Sequence, residues 1–388
     1  MLLGIYYKGV EIHREEKIIY ARFLMPHRVI STCPAAGGVR DDLDYLYNHQ
    51  SCEPIGHDPA ALRLIGPDPQ GYRSMVCRQY RLPDDRCATL GTAANMRYAI
   101  TKEARFRDLA VVAVCTGGAE TNAGRAGDPA VVYECDGAYE TVSIDPPVSH
   151  GTINTMLFIS REMTPGAMVN AVMTATEAKA AALQELDVNS RYSHGIATGT
   201  GTDQIGVAAR LETGIPLTSA GKHTVLGELI GKTVCGAVKA TMALQDSLTP
   251  ERQRSAVRHL ERFGASHDSM RASVAARLGK GKGALLAANF TVIERDPLVV
   301  AAVAALVHVR DKVAWGILPG SCAPELWATY GAQISAAVSG IYDRLPVYRA
   351  TLAAAGCTSS DRDILNLVEQ AFALGFQDKW PEETREQE

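Results

Sequence analysis

The residue types best suited to chemistry in this chain form one short run, Thr198-Gly199-Thr200-Gly201-Thr202-Asp203. Glycine lets the backbone turn sharply and bring its N–H groups close to a ligand. The hydroxyls supply donors and acceptors, and the carboxylate is a base within their reach. The flanking segments 194–197 and 204–210 read as strands that would hold the loop. The run is interpreted either as a loop for polar-ligand binding or acyl chemistry, or as a glycine-rich hairpin turn.

Three further clusters of glycine, hydroxyl and amide residues follow predicted strand or loop ends. They are Thr116-Gly117-Gly118 with Asn122, Gly124, Gly127 and Asp128; Gly151-Thr152-Ile153-Asn154; and His223-Thr224 with Gly227. Each cluster alone is more typical of a turn. Strand ends in a layered α/β protein commonly converge on one crevice, so the four together predict a shared cleft.

Phosphate and metal sites have weak support in the sequence. There is no Gly-x-x-x-x-Gly-Lys-Ser/Thr loop and no Gly-x-Gly-x-x-Gly turn followed by an acid. His150, His194 and His223 adjoin three of the clusters, but no His-x-x-x-His pair places two ligands on one helix face. We predict neither a resident metal nor a cofactor.

Hydrolysis without a metal needs a nucleophile, a base or acid, and donors for the developing oxyanion. Glu177 and Asp203 are the candidate acid or base, because a partly buried carboxylate can exchange protons near neutral pH. A threonine nucleophile must be activated by a base. The candidate nucleophiles are Thr116, Thr152 and Thr200, and the candidate donors are Asn122, Asn154 and the backbone N–H groups after Gly117 and Gly201.

The elements that must position these residues begin with a strand-rich first half. Short apolar or alternating segments predict strands over 2–7, 17–23, 28–32, 108–114 and 152–160. A helix is predicted over 41–49, after the break at Gly37-Gly38. Frequent proline and aspartate predict a long surface loop over 53–85.

Two long helices follow. Thr164 and Pro165 are typical of an N-cap and a first helical residue, so the first helix should run to about Leu186. Its apolar face is predicted to carry Val172, Thr176, Ala180 and Leu183, with Glu177 at the border of that face. The second helix, from about His223 to Ala243, has two regular apolar rows and a solvent-side pair of Glu228 and Lys232.

From residue 247 the pattern becomes helical. Helix starts are predicted at 249–250, 296–297 and 360–361, with a hinge or loop at 280–283 and frayed residues at 381–388. The predicted fold is α/β, a mixed α+β layered sandwich with a helical C-terminal region. The predicted domains are 1–246 and 247–388.

Composition narrows the class of protein. The chain has 388 residues, 46% of them hydrophobic and 21% charged, which is typical of a soluble globular protein. A net charge of −4 without a dense Lys/Arg run argues against nucleic acid. The longest apolar stretch, 298–307, is about half the length of a membrane span, and early charges argue against a signal peptide. Nine scattered cysteines predict reduced thiols and a cytoplasmic location.

The clusters taken in order resemble the adenosylcobinamide amidohydrolase family. The resemblance rests on the motifs around 116–128, 151–154, 176–180, 197–203 and 223–227, and it extends over roughly residues 18 to 245. Gly117 departs from the family pattern, in which alanine is expected at that position. The region after 247 exceeds the usual family domain and is a candidate lid, oligomerisation surface or partner site.

The resemblance implies a reaction of corrinoid salvage. Water cleaves the amide between the aminopropanol arm and a propionate side chain of adenosylcobinamide, and the adenosylcobyric acid formed re-enters cobalamin synthesis. Cobalt arrives within this small-molecule substrate. Glu177 or Asp203 would activate the nucleophile, and Thr116 or Thr200 would contact the amide or act covalently. The oxyanion would be held by Asn154 with backbone groups of Gly117 and Gly201.

The remaining candidate residues are expected to bind the amide-fringed ring: Gly118, Asn122, Asp128, Gly151, Thr152, Thr198, Gly199, Thr202, His223 and Thr224. Three alternatives stay open. One is a corrinoid-binding or regulatory protein without turnover, and another is a nucleotide-dependent enzyme. The third is a loose similarity to self-cleaving threonine-nucleophile acyltransferases, which an intact mass of 41.6 kDa would reject.

Overall fold

The computed structural model describes residues 1–53, 56–57, 64, 68–143, 151–354 and 356–380. The chain divides into two compact units, Met1–Thr249 and Pro250–Glu388. Mixed sheets in the first unit and a helical second unit confirm the predicted α/β class. Every helix in the described ranges is too short or too polar to span a bilayer.

The described residues of the first unit form strands and three long helices. Its helices are α1 (Pro69–Tyr80), α2 (Pro165–Glu185) and α3 (Val225–Gln245). Its strands are β1 (Leu2–Tyr6), β2 (Val10–Glu15), β3 (Ile18–Phe23), β4 (His27–Ser31), β5 (Gly38–Arg40), β6 (Tyr45–Gln50), β7 (Cys52–Glu53), β8 (Gly56–His57), β9 (Cys87–Thr92), β10 (Ile100–Phe106), β11 (Leu109–Gly118), β12 (Ala123–Gly124), β13 (Val132–Cys135), β14 (Ala138–Thr141), β15 (Thr152–Ile159), β16 (Gly199–Thr200) and β17 (Gln204–Arg210).

Two sheets dominate this unit. One has the order β1-β2-β3-β6-β9, and the other has the order β10-β11-β15-β17-β4-β5. Neighbours are antiparallel except β6 with β9 and β15 with β17. Because α2 connects the parallel pair β15 and β17, these three elements form a βαβ unit.

The layers follow from the alternation of side chains along each strand. On β11, Val112 and Val114 pack against the five-stranded sheet. Val111 and Ala113 point the other way and pack against α2 and α3. Because α1 covers the outer face of the five-stranded sheet with residues such as Val76, the unit has the layer order helix, sheet, sheet, helices.

The predicted helix over 41–49 is wrong, because this segment forms strand β6 between β3 and β9. Leu46 is buried between the two sheets, while Tyr47 is buried on the α1 side. A strand covered on both faces loses the polar–apolar alternation that marks a half-exposed strand.

The predicted surface loop over 53–85 contains helix α1. Asp68 caps this helix by accepting the Gly71 N–H at 2.8 Å, and Pro69 occupies the first turn. Proline and aspartate act here as helix-start residues and not as loop residues. Most of 54–67 lies outside the described residues.

The start and end of α2 are confirmed, since Thr164 caps the helix by accepting the Ala167 N–H. Its predicted apolar face is correct at Leu183, which is fully buried, and wrong at Thr176, which is exposed, while Val172 and Ala180 are half-buried. The row against the sheet consists mainly of small residues, which let the helix lie close: Ala167, Ala171, Ala175, Ala178 and Ala182.

Helix α3 follows the sequence prediction closely. Thr224 is its N-cap, and Leu226, Ile230 and Val234 are buried along it. Glu228 pairs with Lys232 on the solvent side, as predicted. A Cβ at Gly227 would lie 2.1 Å from the Gly221 carbonyl oxygen, so only glycine fits this approach.

The second unit is helical throughout its described regular structure. Its helices are α4 (Pro250–Gln253), α5 (Ala256–Leu260), α6 (His267–Ala276), α7 (Lys280–Glu294), α8 (Pro297–Ala314), α9 (Ala323–Ser339), α10 (Leu345–Ala354) and α11 (Asp361–Lys379). Its core contains Phe290, Trp327 and Phe372, all fully buried. The predicted caps Asp296 and Ser360 are confirmed.

The predicted hinge or loop at 280–283 is wrong, because α7 begins at Lys280. A Cβ at Gly283 would lie 2.6 Å from the Ala275 carbonyl oxygen. This glycine therefore permits contact between two helices and does not end one. Residues 381–388, predicted to fray, lie outside the described residues.

Stability of the first unit should depend on pH through His27. This residue is fully buried on β4, within 3.0 Å of the Tyr7 hydroxyl and 2.7 Å of the Met25 carbonyl oxygen. Burial, which outweighs the Met25 hydrogen bond, lowers the pKa of His27 to about 4, with a smaller contribution from Arg210. The unfolded chain binds the proton near pH 6.5, so stability is complete above that pH and declines as the pH falls toward 4.

The expected loss is roughly 3 kcal/mol of unfolding free energy between pH 7 and pH 4. Urea denaturation at several pH values measures it. His27→Gln should flatten this dependence, whereas His223→Gln, which replaces an exposed histidine, should not. Identical pH dependence in wild type and His27→Gln would contradict the assignment.

Candidate active site

A cleft opens at the sheet edge where β15 and β17 begin and β11 ends. Asn154 lies beside Gln204 in the parallel pair, and Thr116 lies opposite Asn154 in the antiparallel pair. The loops attached to these three strand ends therefore meet at one edge. Three of the four predicted clusters come together there, namely those at 116–128, 151–154 and 198–203.

The cleft has a volume of about 730 Å³ and is bounded by the loop after β11, the turn before β17 and the middle of α2. Polar residues that were not predicted as site residues also line it, among them Arg125, Lys179 and Tyr192. The predicted residues that line it are Asn122, Asp128, Glu177, Thr198, Gly199, Thr200, Gly201, Thr202 and Asp203.

Asp203 fixes the conformation of the turn before β17 by accepting hydrogen bonds from it. Its Oδ1 accepts the Ile153 N–H at 2.8 Å and the Thr200 hydroxyl at 2.6 Å. Its Oδ2 accepts the Thr200 N–H at 3.0 Å and is paired with the Lys179 ammonium. A carboxylate offers about four acceptor positions. All of them are occupied, so the Thr200 hydroxyl has a fixed orientation.

Lys179 is 14% exposed and Asp203 13% exposed, so this ion pair is largely removed from water. A Cβ at Gly199 would lie 2.7 Å from Lys179 Nζ and 2.3 Å from Asp203 Oδ2. Only glycine therefore lets the turn pass over the pair. No local signal in the sequence marked Lys179, because its partner Asp203 lies on a different element.

The Gly151 carbonyl oxygen connects two sides of the cleft. It accepts the Thr202 hydroxyl at 2.7 Å and the Asn122 side-chain amide at 3.0 Å. The Thr152 hydroxyl lies 2.7 Å from that of Thr202, and the Tyr192 hydroxyl donates to Asn122 at 2.5 Å. Burial raises the pKa of Tyr192, and the nearby Asp128 carboxylate raises it further. The phenol therefore stays a hydrogen-bond donor at neutral pH.

Asp128 shapes the opposite wall. Its Oδ2 accepts the Arg125 N–H and the Ser190 hydroxyl, both at 2.6 Å. The Thr198 hydroxyl accepts the Ala126 N–H at 2.9 Å. These bonds fix the loop after β11 against the turn before β17, which gives the cleft a rigid polar floor.

Thr116 and Asn154 lie between the two sheets and not on the cleft wall. Asn154 donates to Asn48 at 2.9 Å and to the Gly91 carbonyl at 2.8 Å, and it accepts the Gln204 N–H at 3.0 Å. The Thr116 hydroxyl accepts from Asn48 at 2.8 Å. Strand alternation points both side chains toward the five-stranded sheet, where they satisfy a buried polar network.

Gly117 and Gly118 permit close packing of α3. The Gly117 N–H donates to the Thr241 hydroxyl at 3.2 Å, and a Cβ there would lie 2.8 Å from Met242 Cε. A Cβ at Gly118 would touch Gln245 at 3.4 Å. The structure therefore places this pair against a helix and away from the cleft lining.

Glu177 lines the cleft but does not border a buried face. Its side chain is 49% exposed and is paired at 2.5 Å with Lys222. This pair ties α2 to the loop that carries His223 and Thr224. His223 is exposed, Thr224 caps α3, and neither lines the cleft.

Metal-ligand sets are absent from the described ranges, where no three His, Cys, Asp or Glu side chains cluster suitably. His150 lies outside those ranges. The thiol of Cys115 is fully buried, and its pKa is raised by this burial to about 12. It is therefore a packing residue within strand β11.

Comparisons with known proteins identify the family of this chain. The model of a family described as adenosylcobinamide amidohydrolase matches residues 4–250. An uncharacterised protein of Methanocaldococcus jannaschii is 39% identical over 183 residues, which are 46% of this chain and 71% of that protein. A solved structure of a Pyrococcus horikoshii protein is 8% identical, covering 60% of this chain and 83% of that one. Its TM-score of 0.29 is too low to support any conclusion.

Proposed function

This chain belongs to the adenosylcobinamide amidohydrolase family, and we propose that it hydrolyses the amide joining the aminopropanol arm to the corrin side chain of adenosylcobinamide. The products are adenosylcobyric acid and 1-aminopropan-2-ol, and the role is corrinoid salvage in the cytoplasm. Support comes from the family match and from a cleft whose wall carries hydroxyl, amide and carboxylate groups. Cobalt belongs to the substrate in this proposal.

The observation that carries the proposal is the hydrogen bond from the Thr200 hydroxyl to Asp203 on the cleft wall. A threonine hydroxyl attacks an amide only when a base removes its proton. Since the other acceptor positions of Asp203 hold Ile153, the Thr200 N–H and Lys179, the Thr200 hydroxyl is the group whose proton it receives. Thr200 is therefore the nucleophile of the proposed reaction, with Asp203 as its base.

The acylation step balances through these two residues. Thr200 Oγ1 forms a bond to the amide carbon as its proton passes to Asp203 Oδ1. The C–N bond then breaks, the same proton goes to the departing nitrogen, and aminopropanol leaves. The corrin side chain remains as an ester of Thr200.

Hydrolysis of that ester uses the acceptor position that Thr200 has vacated. A water molecule donates its proton to Asp203 Oδ1 and attacks the ester carbon. The C–O bond to Thr200 breaks, Thr200 recovers the proton from Asp203, and the new carboxyl group gives its remaining proton to solvent water as adenosylcobyric acid leaves as the carboxylate. One carboxylate thus serves both steps in turn.

The oxyanion of both steps is held by Lys179 and the backbone of the turn. An ammonium has three donors, of which Lys179 directs one to Asp203. Another is available to the developing charge, together with the N–H of Gly201 at the tip of the turn. Low exposure of Lys179 strengthens this interaction, because a charge acts more strongly where water is excluded.

The direct test is incubation of the whole protein with adenosylcobinamide. We expect 1-aminopropan-2-ol and adenosylcobyric acid to appear in equal amounts, measured by chromatography with mass detection. Binding without release would favour the corrinoid-binding alternative and contradict the proposed reaction. Stabilisation of the protein by ATP or GTP, but not by the corrinoid, would favour the nucleotide-dependent alternative.

A further inference from the structure

A two-stranded ribbon borders the cleft. The cleft wall runs through residues 129–132 into strand β13, which pairs only with β14 among the described strands. The side chains of Val132 and Tyr139 are 46% and 68% exposed. An isolated ribbon is marginal in water, and an exposed apolar surface beside a cleft marks a binding surface.

The two faces of the ribbon carry different side chains. Residues directly opposite each other on antiparallel strands share a face. Thr141 is opposite Val132 and Tyr139 is opposite Glu134, so these four share one face, here called the open ribbon face. All four are exposed, and so are Tyr133, Ala138 and Glu140 on the other face, where Cys135 is half-buried. Exposure does not separate the two faces, and the open ribbon face is selected because Val132, which lines the cleft, lies on it.

The cleft alone is too small for the whole substrate. Its volume of about 730 Å³ is that of a pocket for a drug-sized molecule. A corrin macrocycle with its fringe of amide arms is larger, and only the arm that is cleaved must reach Thr200. The ring needs a surface outside the cleft, flat and partly apolar, with acceptors at its edge.

We propose that the open ribbon face is the platform on which the corrin macrocycle lies, an inference that rests on the proposed function for the identity of the ring. The Tyr139 phenol stacks on the flat face of the macrocycle, and Val132 packs beside it. Glu134 and Thr141 accept hydrogen bonds from amide N–H groups at its edge. The aminopropanol arm then enters the cleft toward Thr200.

The test measures binding separately from turnover. Adenosylcobyric acid contains the ring but lacks the amide that is cleaved, so its Kd can be measured by equilibrium dialysis with corrinoid absorbance. Tyr139→Ala should raise this Kd about tenfold, because a stacked aromatic ring is lost. Tyr133→Ala, on the other face of the same ribbon, should change it less than twofold. Tyr139→Phe should restore most of the affinity.

A second readout uses a small amide without the ring, N-(2-hydroxypropyl)propanamide. Its rate of hydrolysis should be the same in wild type and Tyr139→Ala, because the platform does not touch the reacting atoms. An unchanged Kd in Tyr139→Ala with normal aminopropanol release would overturn the platform and leave the reaction standing. If Tyr139→Ala binds adenosylcobyric acid more weakly but the wild-type protein releases no aminopropanol, the proposed reaction is overturned and the platform is supported.

A second copy of the chain is the competing occupant of this face. Light scattering of wild type and Tyr139→Ala at equal concentrations decides between them. A wild-type mass of twice 41.6 kDa that falls to 41.6 kDa in the variant would assign the open ribbon face to self-association and overturn the platform.

Discussion

Thr200→Val should lower kcat for aminopropanol release on the order of 10⁴-fold, because it removes the attacking oxygen while keeping the shape of the side chain. The free energy of unfolding should fall by about 1–3 kcal/mol, because Asp203 loses the hydrogen bond from the hydroxyl while the Thr200 N–H still binds it. Product release is followed by mass detection, and corrinoid binding should persist.

Two variants sharpen this prediction. Thr200→Ser keeps the hydroxyl and should retain activity within about 10²-fold. Thr176→Val removes another hydroxyl on the cleft wall, one that bonds back to the Val172 carbonyl of its own helix, and should leave the rate unchanged. Undiminished release by Thr200→Val would show that water, and not Thr200, attacks the amide.

Asp203→Asn should lower kcat/KM by about 10³-fold and also destabilise the first unit. The rate falls because an amide cannot accept the Thr200 proton. Stability falls by about 2–4 kcal/mol because Lys179, only 14% exposed, loses its anionic partner. Urea denaturation measures the second effect, and the aminopropanol assay measures the first.

A double variant separates the two effects of Asp203→Asn. Adding Lys179→Met removes the unpaired ammonium, so much of the lost stability should return while the rate stays low. Recovery of both stability and rate in the double variant would mean that Asp203 only neutralises Lys179. A rate within tenfold of wild type in Asp203→Asn alone would exclude Asp203 as the base.

Many residues of the cleft wall were predictable from residue types and their spacing in short motifs. The turn 198–203 was singled out because its glycines and hydroxyls have few purely structural uses, and it lies on the cleft wall. Asn122 and Asp128 were found by the same pattern. Thr116 and Asn154 belong to the same kind of cluster yet lie between the sheets. Their residue types satisfy a buried network as well as they bind a ligand, so type and spacing could not separate the two outcomes.

Contacts between residues on distant segments could not be predicted from residue types and spacing. Lys179 was not singled out, because its partner Asp203 is on a different element and nothing local marks the pair. Glu177 was placed at a buried border because Val172 and Thr176 were taken as the apolar row. The residues of α2 that pack against the sheet are instead mainly alanines, whose small side chains let the helix lie close to the sheet.

The sequence by itself determined the local features of this protein. Helix starts at Thr164, Thr224 and Ser360 follow from side chains that bond a backbone N–H three residues on, within a single turn. The tertiary structure alone decided that residues 45–50 form a strand, and which polar clusters face the cleft. Those outcomes depend on strand register and on which face of each strand is covered. Both are set by packing between segments far apart in the chain, where no local pattern specifies the partner.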